Sequence, residues 1–273
     1  MMLSWHLRGI RGDRAMPHQA RWLEAEFGWH AERVTEAGLA LGLADLVPIA
    51  CRGSSHPALL DHLARLIGAR PGQTVLDGGC GLGGPMAWLT REHGCSTVGV
   101  DLMPSAARGA RRLFPSSTVV VASLTALPFR AGAFQAAWAL GSLSTIPDLG
   151  EAARELRRVL APGGCLAIYD FVAAGAIPAD APVANAFTPP GTLAGQLAAA
   201  GLTVLASARA PDVGSAPAAW REPILAVERE IAHCHGGDPR YQLEARERAA
   251  FGRLQLSGRI VPWLLLVERP CSS

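Results

Sequence analysis

The chain has 273 residues, of which 49% are hydrophobic and 18% charged, and this composition is typical of one large folded domain with an added cap. Its formal net charge of +2 excludes a global attraction to nucleic acid or to an anionic membrane. The apolar run at 260–267 is far shorter than the ~20 residues of a membrane helix, and the first residues lack a secretory apolar stretch, so we expect a cytoplasmic protein.

The amino-terminal part predicts a helical cap. Residues 17–46 mix apolar and charged side chains in a pattern that predicts one or two helices. This part includes His18, Glu24, Glu26 and His30, and most of these side chains are interpreted as lying on solvated helix faces. We therefore divide the chain into an N-terminal helical cap at 1–55 and a main domain at 56–273.

The main domain alternates short apolar strands with helices. Five strands are predicted between residues 73 and 172, and two more lie near 202–208 and 259–269. Such alternation is typical of an α/β fold with a doubly wound, Rossmann-like, mainly parallel seven-stranded sheet. The Ala- and Pro-rich loop at 173–191 and a helical insert at 209–256, before the last strand, are expected to cover a substrate.

The stretch VLDGGCGLGGPMAWL places a glycine turn directly behind a carboxylate. Gly79, Gly81 and Gly84 fit the dinucleotide pattern G-x-G-x-x-G. However, Asp77 would repel a pyrophosphate resting on the following amides, and Pro85 lacks an N–H group that a phosphate would use. A cationic ligand without phosphate, such as S-adenosylmethionine, is therefore favoured over a nicotinamide or flavin dinucleotide.

Four stretches of the chain resemble the class I S-adenosylmethionine-dependent methyltransferase family. They are VLDGGCGLGG, VGVDLMP, LPF at 127–129 and ELRRVLAPGGCLAIYD at 155–170, which together cover about residues 70–172 in order. The turn GCGLGGP is similar to that of sterol and isoprenoid C-methyltransferases and of some glycine or sarcosine N-methyltransferases. The resemblance implies a small-molecule methyltransferase with S-adenosylmethionine as its cofactor.

The resemblance also implies donor-binding roles for individual residues. Asp77 would hold the methionine ammonium group, and Asp101, at the end of the second strand, would accept hydrogen bonds from both ribose hydroxyls. The alternative for Asp101 is a cap of the following helix. Ser123 stands where relatives often carry an acid that binds the adenine amino group. The remaining donor-binding residues are predicted to be Gly79, Gly81, Gly83, Leu102, Leu124 and Leu140.

Three residues are candidates for catalysis on the acceptor side. His56 lies upstream of the sheet, where the family's N-terminal helices border the methionine end, although it could equally cap its own helix. Tyr169 and Asp170 end a central strand, where doubly wound folds place ligands, and the alternative is hydrogen bonding within the loop. Methyl transfer from a sulfonium needs a base only when the nucleophile must lose a proton, so no dedicated catalyst is required.

Other polar clusters predict no separate site. The six cysteines lack paired C-x-x-C spacing, and in the tract from His233 to His235 positions i and i+2 point to different sides of a helix, so no metal site is predicted. Four arginines of the insert either contact an anionic acceptor or pair with Glu244 and Glu247. These arginines are Arg240, Arg246, Arg248 and Arg253.

The sequence therefore predicts methyl transfer from S-adenosylmethionine to a small, partly apolar metabolite. The bias toward Ala, Gly and Arg suggests a GC-rich bacterial source and specialised metabolism. The alternatives are a cyclisation or rearrangement assisted by the sulfonium charge, and a binding module with a vestigial site, against which Asp77 and Asp101 argue. We expect a small-molecule substrate, no nucleic acid or membrane partner, and a cap that could mediate a homodimer.

Overall fold

The computed structural model describes residues 23–52, 56–179, 181–182 and 185–271. These residues form one sheet, whose strands are β1 (Thr74–Gly78), β2 (Ser96–Asp101), β3 (Thr118–Val121), β4 (Phe134–Leu140), β5 (Leu160–Ala173), β6 (Thr203–Arg209) and β7 (Ile260–Glu268). The spatial order is β3-β2-β1-β4-β5-β7-β6. Strands β1 to β5 are parallel, and β7 is antiparallel to both β5 and β6. The predicted mainly parallel seven-stranded sheet is confirmed.

Eight α-helices of the described residues connect and cover these strands. They are α1 (Trp29–Ala40), α2 (Pro57–Leu66), α3 (Gly84–His93), α4 (Pro104–Leu113), α5 (Leu149–Val159), α6 (Pro190–Ala199), α7 (Ala218–His235) and α8 (Pro239–Leu256). A π-helical turn at Glu24–Gly28 runs into α1. Residues 17–22 of the predicted cap helices lie outside the described residues. Among the described helices, none has the length and apolar character required to cross a membrane.

Side chains of the central strands alternate between two apolar cores. In β4, Ala136 and Trp138 belong to the first core, and Ala137 and Ala139 belong to the second. The first core includes side chains of α1 to α4, α7 and α8, whereas α5 and α6 contribute to the second. Because helices cover both faces, the sheet is doubly wound, and the strands read as nearly continuous apolar runs. The alternation also decides which polar side chains share a face at the end of the strands.

The LPF stretch at 127–129 is held in place by α5. Glu155 Oε2 accepts a hydrogen bond from the Leu127 amide at 2.7 Å, and Arg158 donates to the carbonyls of Leu127 and Phe129 at 2.9 and 2.7 Å. Arg158 also donates to Glu155 at 2.6 Å, and this hydrogen bond is the main cause that lowers the pKa of the Glu155 carboxyl. Helix and loop therefore form one unit that fixes the loop beginning near Ser123.

Strand β5 begins earlier than the sequence predicts. The pattern predicts a strand only from about residue 164, but Leu160 already pairs with Phe134, and Cys165 then pairs with Ala136. The residues between these two pairs bulge out of the ladder, with Gly163 in the left-handed region at φ +73°. The prediction missed this start because a Pro-Gly-Gly sequence ordinarily indicates a turn.

The antiparallel direction of β7 brings two chain segments to the same edge of the sheet. Ile260 at the start of β7 pairs with Ala173 at the end of β5, and the Ala174 amide donates to the Arg259 carbonyl at 2.8 Å. The insert with α7 and α8 therefore ends beside the start of the loop at 173–191. This edge is the one at which the parallel strands end, where doubly wound folds bind their ligands.

Candidate active site

The glycine turn between β1 and α3 adopts a conformation that favours glycine. Gly79, Gly81 and Gly83 have φ angles of +84°, +53° and +78°. A Cβ atom on Gly79 would lie 2.3 Å from Ser142 Cβ, so this position is closed to larger residues. A Cβ atom on Gly81 would meet no described atom within 4 Å and would project into open space. The backbone at Gly81 is therefore accessible to a ligand.

Asp77 is a buried acid with an unsatisfied oxygen. Asp77 lies at the carboxyl end of β1, where it pairs in register with Trp138 of β4. The residue is only 2% exposed. Asp77 Oδ2 has no hydrogen-bond partner among the described residues. Burial raises the pKa of Asp77 to about 7, the Trp138 indole lowers it, and the charge of Asp101 raises it. A buried acceptor without a partner at this edge fits a cationic or hydrogen-donating ligand group.

Asp101 lies at the end of β2 and is bound to the glycine turn. Its Oδ2 accepts a hydrogen bond from the Gly81 amide at 2.8 Å, and its Oδ1 accepts from the Met103 amide at 2.9 Å. Burial raises the pKa of the Asp101 carboxyl, and these amide hydrogen bonds oppose the shift. Each carboxylate oxygen has a further lone pair, so both oxygens can still accept from a diol. The predicted alternative as a helix cap is compatible with the Met103 contact.

The residues predicted near adenine surround the same edge. Leu124 is buried, and its side chain would lie 3.1 Å from a Cβ atom on Gly78. The Ser123 hydroxyl is 2.7 Å from the Thr125 hydroxyl. Leu102 and Leu140 are half-buried. The structure thus places an apolar side chain and a polar turn next to the end of β1, while the contact of each with adenine stays a prediction.

His56 caps α2, as the alternative interpretation of this residue predicts. Its Nδ1 atom accepts a hydrogen bond from the Ala58 amide at 3.0 Å. In the neutral imidazole the proton must then lie on Nε2, which makes Nε2 a donor. Nε2 is buried without a hydrogen-bond partner among the described residues. His56 can therefore donate a hydrogen bond to a ligand, but neutral His56 cannot take a proton at Nε2. The neighbouring residues 53–55 lie outside the described residues.

Tyr169 and Asp170 lie on opposite faces of β5. Tyr169 belongs to the first core, on the face of Trp138, and its ring centroid lies 6.1 Å from that of Phe171. Asp170 is 2% exposed; its Oδ2 accepts from the Ser144 amide at 3.0 Å and its Oδ1 from the Phe171 amide at 2.7 Å. Burial raises the pKa of Asp170, and the hydrogen bonds from Ser144 are the largest opposing cause. The structure therefore does not bring the two candidates together, and Asp170 organises the loop after β4.

Glu24 is a residue near this site that the sequence interpretation missed. Its Oε1 accepts from the Ser105 amide at 3.2 Å, and its Oε2 accepts from the Ser105 hydroxyl at 2.8 Å, at the first turn of α4. Its charge also raises the pKa of Asp101. Glu24 and His30, whose side chain is only 15% exposed, are therefore exceptions to the prediction that most of these cap side chains are solvated. The local helical pattern could not reveal this, because Glu24 and Ser105 are 81 residues apart.

Together, these features define the class of site. A doubly wound sheet presents three features at the carboxyl ends of β1 and β2. They are a buried carboxylate with one oxygen that lacks a partner among the described residues, an accessible glycine backbone and a second acid. The arrangement fits a ligand that carries a positive amino acid part and a ribose, without phosphate. S-adenosylmethionine has these groups, so the residues present fit this cofactor.

Comparisons with known proteins agree with this class. Residues 76–168 match the family model described as a methyltransferase domain. The methyltransferase GfsG of Streptomyces halstedii is 34% identical over 125 residues, which are 44% of this chain and 45% of GfsG. The chain spans less than half the length of the curated relatives it matches.

Two solved structures share the fold. The [4+2]-cyclase SpnF is similar with a TM-score of 0.68 and 22% identity, over 91% of this chain and 97% of SpnF. Geranyl diphosphate C-methyltransferase from Streptomyces coelicolor A3(2), in complex with Mg²⁺, geranyl diphosphate and S-adenosyl-L-homocysteine, is similar with a TM-score of 0.57 and 21% identity, over 78% of each chain. The fold is that of the Rossmann-like methyltransferases. Residues 76–168 thus match a methyltransferase domain, and the comparisons support a class I S-adenosylmethionine-dependent methyltransferase with S-adenosylmethionine as its cofactor.

Proposed function

We propose that this chain transfers a methyl group from S-adenosylmethionine to a small, partly apolar metabolite. The observation that carries the proposal is the buried Asp77 carboxyl, whose Oδ2 has no hydrogen-bond partner among the described residues, at the same edge of the sheet as the open backbone of Gly81. When bound, the cofactor supplies an electrophilic methyl group on a positive sulfur. Asp77 accepts hydrogen bonds from the methionine ammonium group, directly or through water, and Asp101 accepts from the ribose hydroxyls. Both carboxylates thus act by positioning the donor.

Other residues of the edge complete the proposed donor site. Gly79, Gly81 and Gly83 allow the backbone to approach the donor closely, as their positive φ angles support. Leu102, Ser123, Leu124 and Leu140 surround adenine, with the Ser123 hydroxyl as an acceptor for its amino group. The Glu155 and Arg158 network supports this role, because it fixes the loop that follows Ser123.

Aromatic rings support a partly apolar acceptor. Phe171 of β5 lies 4.8 Å from Phe251 of α8 between ring centroids, and Phe251 lies 5.9 Å from Phe187 of the loop. These rings connect the sheet edge to both predicted covering segments, 173–191 and 209–256. Together with the cap at 1–55, these segments of the main domain at 56–273 would enclose the acceptor. Tyr169 lies beside Phe171 and would contact the acceptor, while His56 would donate a hydrogen bond to it.

A second candidate function is a cyclisation or rearrangement without methyl transfer. The [4+2]-cyclase SpnF shares the fold over nearly the full chain, so this fold does not itself require methyl transfer. In such a reaction the sulfonium charge would stabilise developing negative charge without being consumed.

Product mass distinguishes the two functions. The full chain would be incubated with S-adenosylmethionine carrying a deuterated methyl group and with a panel of small apolar alcohols, amines and alkenes. Methyl transfer gives a labelled product and an equal amount of S-adenosylhomocysteine, and Asp77→Asn should abolish both. An isomeric, unlabelled product would support the second function and contradict the first.

We also propose a biological setting. The GfsG and geranyl diphosphate C-methyltransferase relatives come from Streptomyces, which supports a role in bacterial specialised metabolism. We expect a cytoplasmic enzyme that uses no nucleic acid or membrane partner, and the cap is the candidate surface if the protein forms a homodimer. Cell fractionation and light scattering of the purified chain test these expectations.

A further inference from the structure

Trp138 is a buried hydrogen-bond donor beside the Asp77 carboxyl. The two residues are in-register neighbours on the parallel strands β4 and β1, so their side chains leave the sheet on the same face. The first core covers that face, and the Trp138 side chain is completely buried in it. An acid and an indole therefore lie side by side at a place that bulk water does not reach.

A polar atom of each residue lacks a completed hydrogen bond. Asp77 Oδ2 and Trp138 Nε1 are buried, and neither has a hydrogen-bond partner among the described residues. The indole nevertheless lowers the pKa of the Asp77 carboxyl, so its N–H group faces the acid at short range. An indole N–H can only donate, and an ionised carboxylate can only accept. The two groups are therefore complementary.

The strength of this contact depends on the ionisation of Asp77. A carboxylate is a stronger acceptor than a neutral carboxyl group, because hydrogen bonds to ionised groups are shorter and stronger. Burial raises the pKa of Asp77 to about 7, so the ligand-free acid is only partly ionised at neutral pH. An ionised carboxylate has about four lone-pair sites, so it can accept from the indole and from a ligand at the same time.

We propose that Trp138 is a positioning residue for the donor: its Nε1–H group donates to the ionised Asp77 carboxylate and fixes that carboxylate for the methionine ammonium group. The part that concerns the donor rests on the proposed function, whereas the contact between the two side chains does not. Trp138 acts only through Asp77 in this proposal. Its effect should therefore depend on pH, which the effect of a residue that only fills space should not.

The other titratable groups around Asp77 do not change with Trp138. In the described part of the chain, the charge of Asp101 raises the pKa of Asp77, and Glu24 in turn raises that of Asp101. The Asp77 charge also acts on the Cys80 thiol of the glycine turn, whose pKa burial raises well above its ordinary value. This thiol stays neutral near neutral pH. Removal of the indole N–H therefore reports on Asp77.

The ligand-free chain tests the contact directly. In protein with nitrogen-15-labelled tryptophan, the Nε1–H resonance of Trp138 is the one that Trp138→Phe removes, and sequential assignment identifies it if that variant fails to fold. As the pH rises, this resonance should move downfield with a midpoint near pH 7. Asp77→Asn should abolish the titration. A Trp138 resonance that does not respond to pH would overturn the proposal.

Donor binding tests the positioning role. Trp138→Phe keeps an aromatic ring but removes the N–H that favours the ionised carboxylate, so the midpoint of the pH dependence should move up by about one pH unit. Calorimetry should then show an affinity for S-adenosylhomocysteine that is about fivefold lower than wild type at pH 7 and nearly equal to it at pH 9. Equal losses at both pH values would indicate a packing effect and overturn the positioning role.

Trp29→Phe is the matched control. Trp29 of α1 is also buried, and its Nε1 atom also lacks a hydrogen-bond partner among the described residues. Its ring packs against His235 of α7, at a centroid distance of 6.0 Å. This variant should keep the wild-type ratio of affinities at pH 7 and pH 9. A pH-dependent loss equal to that of Trp138→Phe would overturn the proposal.

The two measurements separate this proposal from the proposed function. A Trp138 resonance that titrates with Asp77, in a chain that binds no S-adenosylhomocysteine, would contradict the proposed function and leave the contact with Asp77 intact. A chain that binds S-adenosylhomocysteine but whose Trp138 resonance does not titrate would contradict only the role of Trp138.

Discussion

Asp77 titrates near neutral pH in the ligand-free protein, because burial raises its pKa to about 7. A ligand ammonium group favours the ionised carboxylate, so binding should release a proton. The affinity for S-adenosylhomocysteine should therefore rise about tenfold from pH 6 to pH 8. Calorimetry in buffers of different ionisation enthalpy measures both quantities. Asp77→Asn should weaken binding and flatten this pH dependence, and a wild-type affinity that is constant with pH would contradict the role of Asp77.

The same carboxyl group lowers stability as the pH rises. Its folded pKa of about 7 lies above the ordinary value of 3.8, so the folded protein holds the proton more tightly than the unfolded chain. Stability is therefore lost between pH 4 and pH 7, by at most roughly 4 kcal/mol from this group. The free energy of unfolding of Asp77→Asn, compared with that of wild type at the same pH, should therefore be higher at pH 8 than at pH 4. Urea unfolding at the two pH values tests this, and a constant difference would contradict it.

Gly81 and Gly72 form a matched pair for testing the accessible backbone. Both have positive φ angles, +53° and +79°, and at both a Cβ atom would meet no described atom within 4 Å. Alanine at either position should cost about 1–2 kcal/mol of stability through backbone strain. Only Gly81→Ala should also reduce S-adenosylhomocysteine affinity, by at least tenfold, because its methyl group enters the proposed donor site. Equal affinities of the two variants would contradict that placement.

The residues of the site differ in how far the sequence could predict them. Asp77 and Asp101 follow apolar strands directly, so their positions at the sheet edge follow from local pattern. The separation of Tyr169 from Asp170 also follows from strand alternation, once β5 has its observed register. The tautomer of His56 and the partner of Glu24 were beyond prediction, because they depend on hydrogen-bond geometry and on a contact between distant residues.

Among the elements, the contact of the π-helical turn with α4 offers a direct test. Glu24 provides two hydrogen bonds to Ser105 at the helix start, whereas Glu32 of α1 forms an exposed ion pair with Arg108. Glu24→Ala should lower the free energy of unfolding by about 1 kcal/mol, and Glu32→Ala by no more than about 0.5 kcal/mol. Urea unfolding of both variants provides the comparison. Equal losses would show that Glu24 does not anchor the cap.

The elements themselves were largely predictable from the sequence. Strands such as β1 and β4 are continuous apolar runs, and α4 and α5 carry arginines in their last turns, where cations stabilise a helix. The early start of β5 was missed, because Pro162 and the following glycines indicate a turn whereas the ladder resumes on the far side of a bulge. The start of β5 is set by its pairing with β4, and no pattern in the local sequence indicates that pairing.

At the scale of the whole molecule, donor binding should appear as thermal stabilisation. A ligand at one hundred times its dissociation constant stabilises the folded state by about 2.7 kcal/mol, which for a chain of this size raises Tm by about 5–8 °C. Differential scanning fluorimetry with S-adenosylhomocysteine measures the shift. Asp77→Asn should show little shift at the same concentration. A wild-type Tm that does not respond would contradict donor binding.

The insert leaves and rejoins the sheet at neighbouring points. Arg209 at the end of β6 pairs with Trp263 of β7, and the Ala210 amide donates to the Pro262 carbonyl at 2.9 Å. The two attachment points are already tied together, so closing a segment of another length between them adds only a small entropic penalty. We expect that residues 211–259 can be replaced by a segment of another length, provided that it keeps the contacts of α7 and α8 with the first core. On the proposal that this insert covers the substrate, grafting the corresponding segment of a relative should change substrate preference and leave in place the strands that hold the two aspartates.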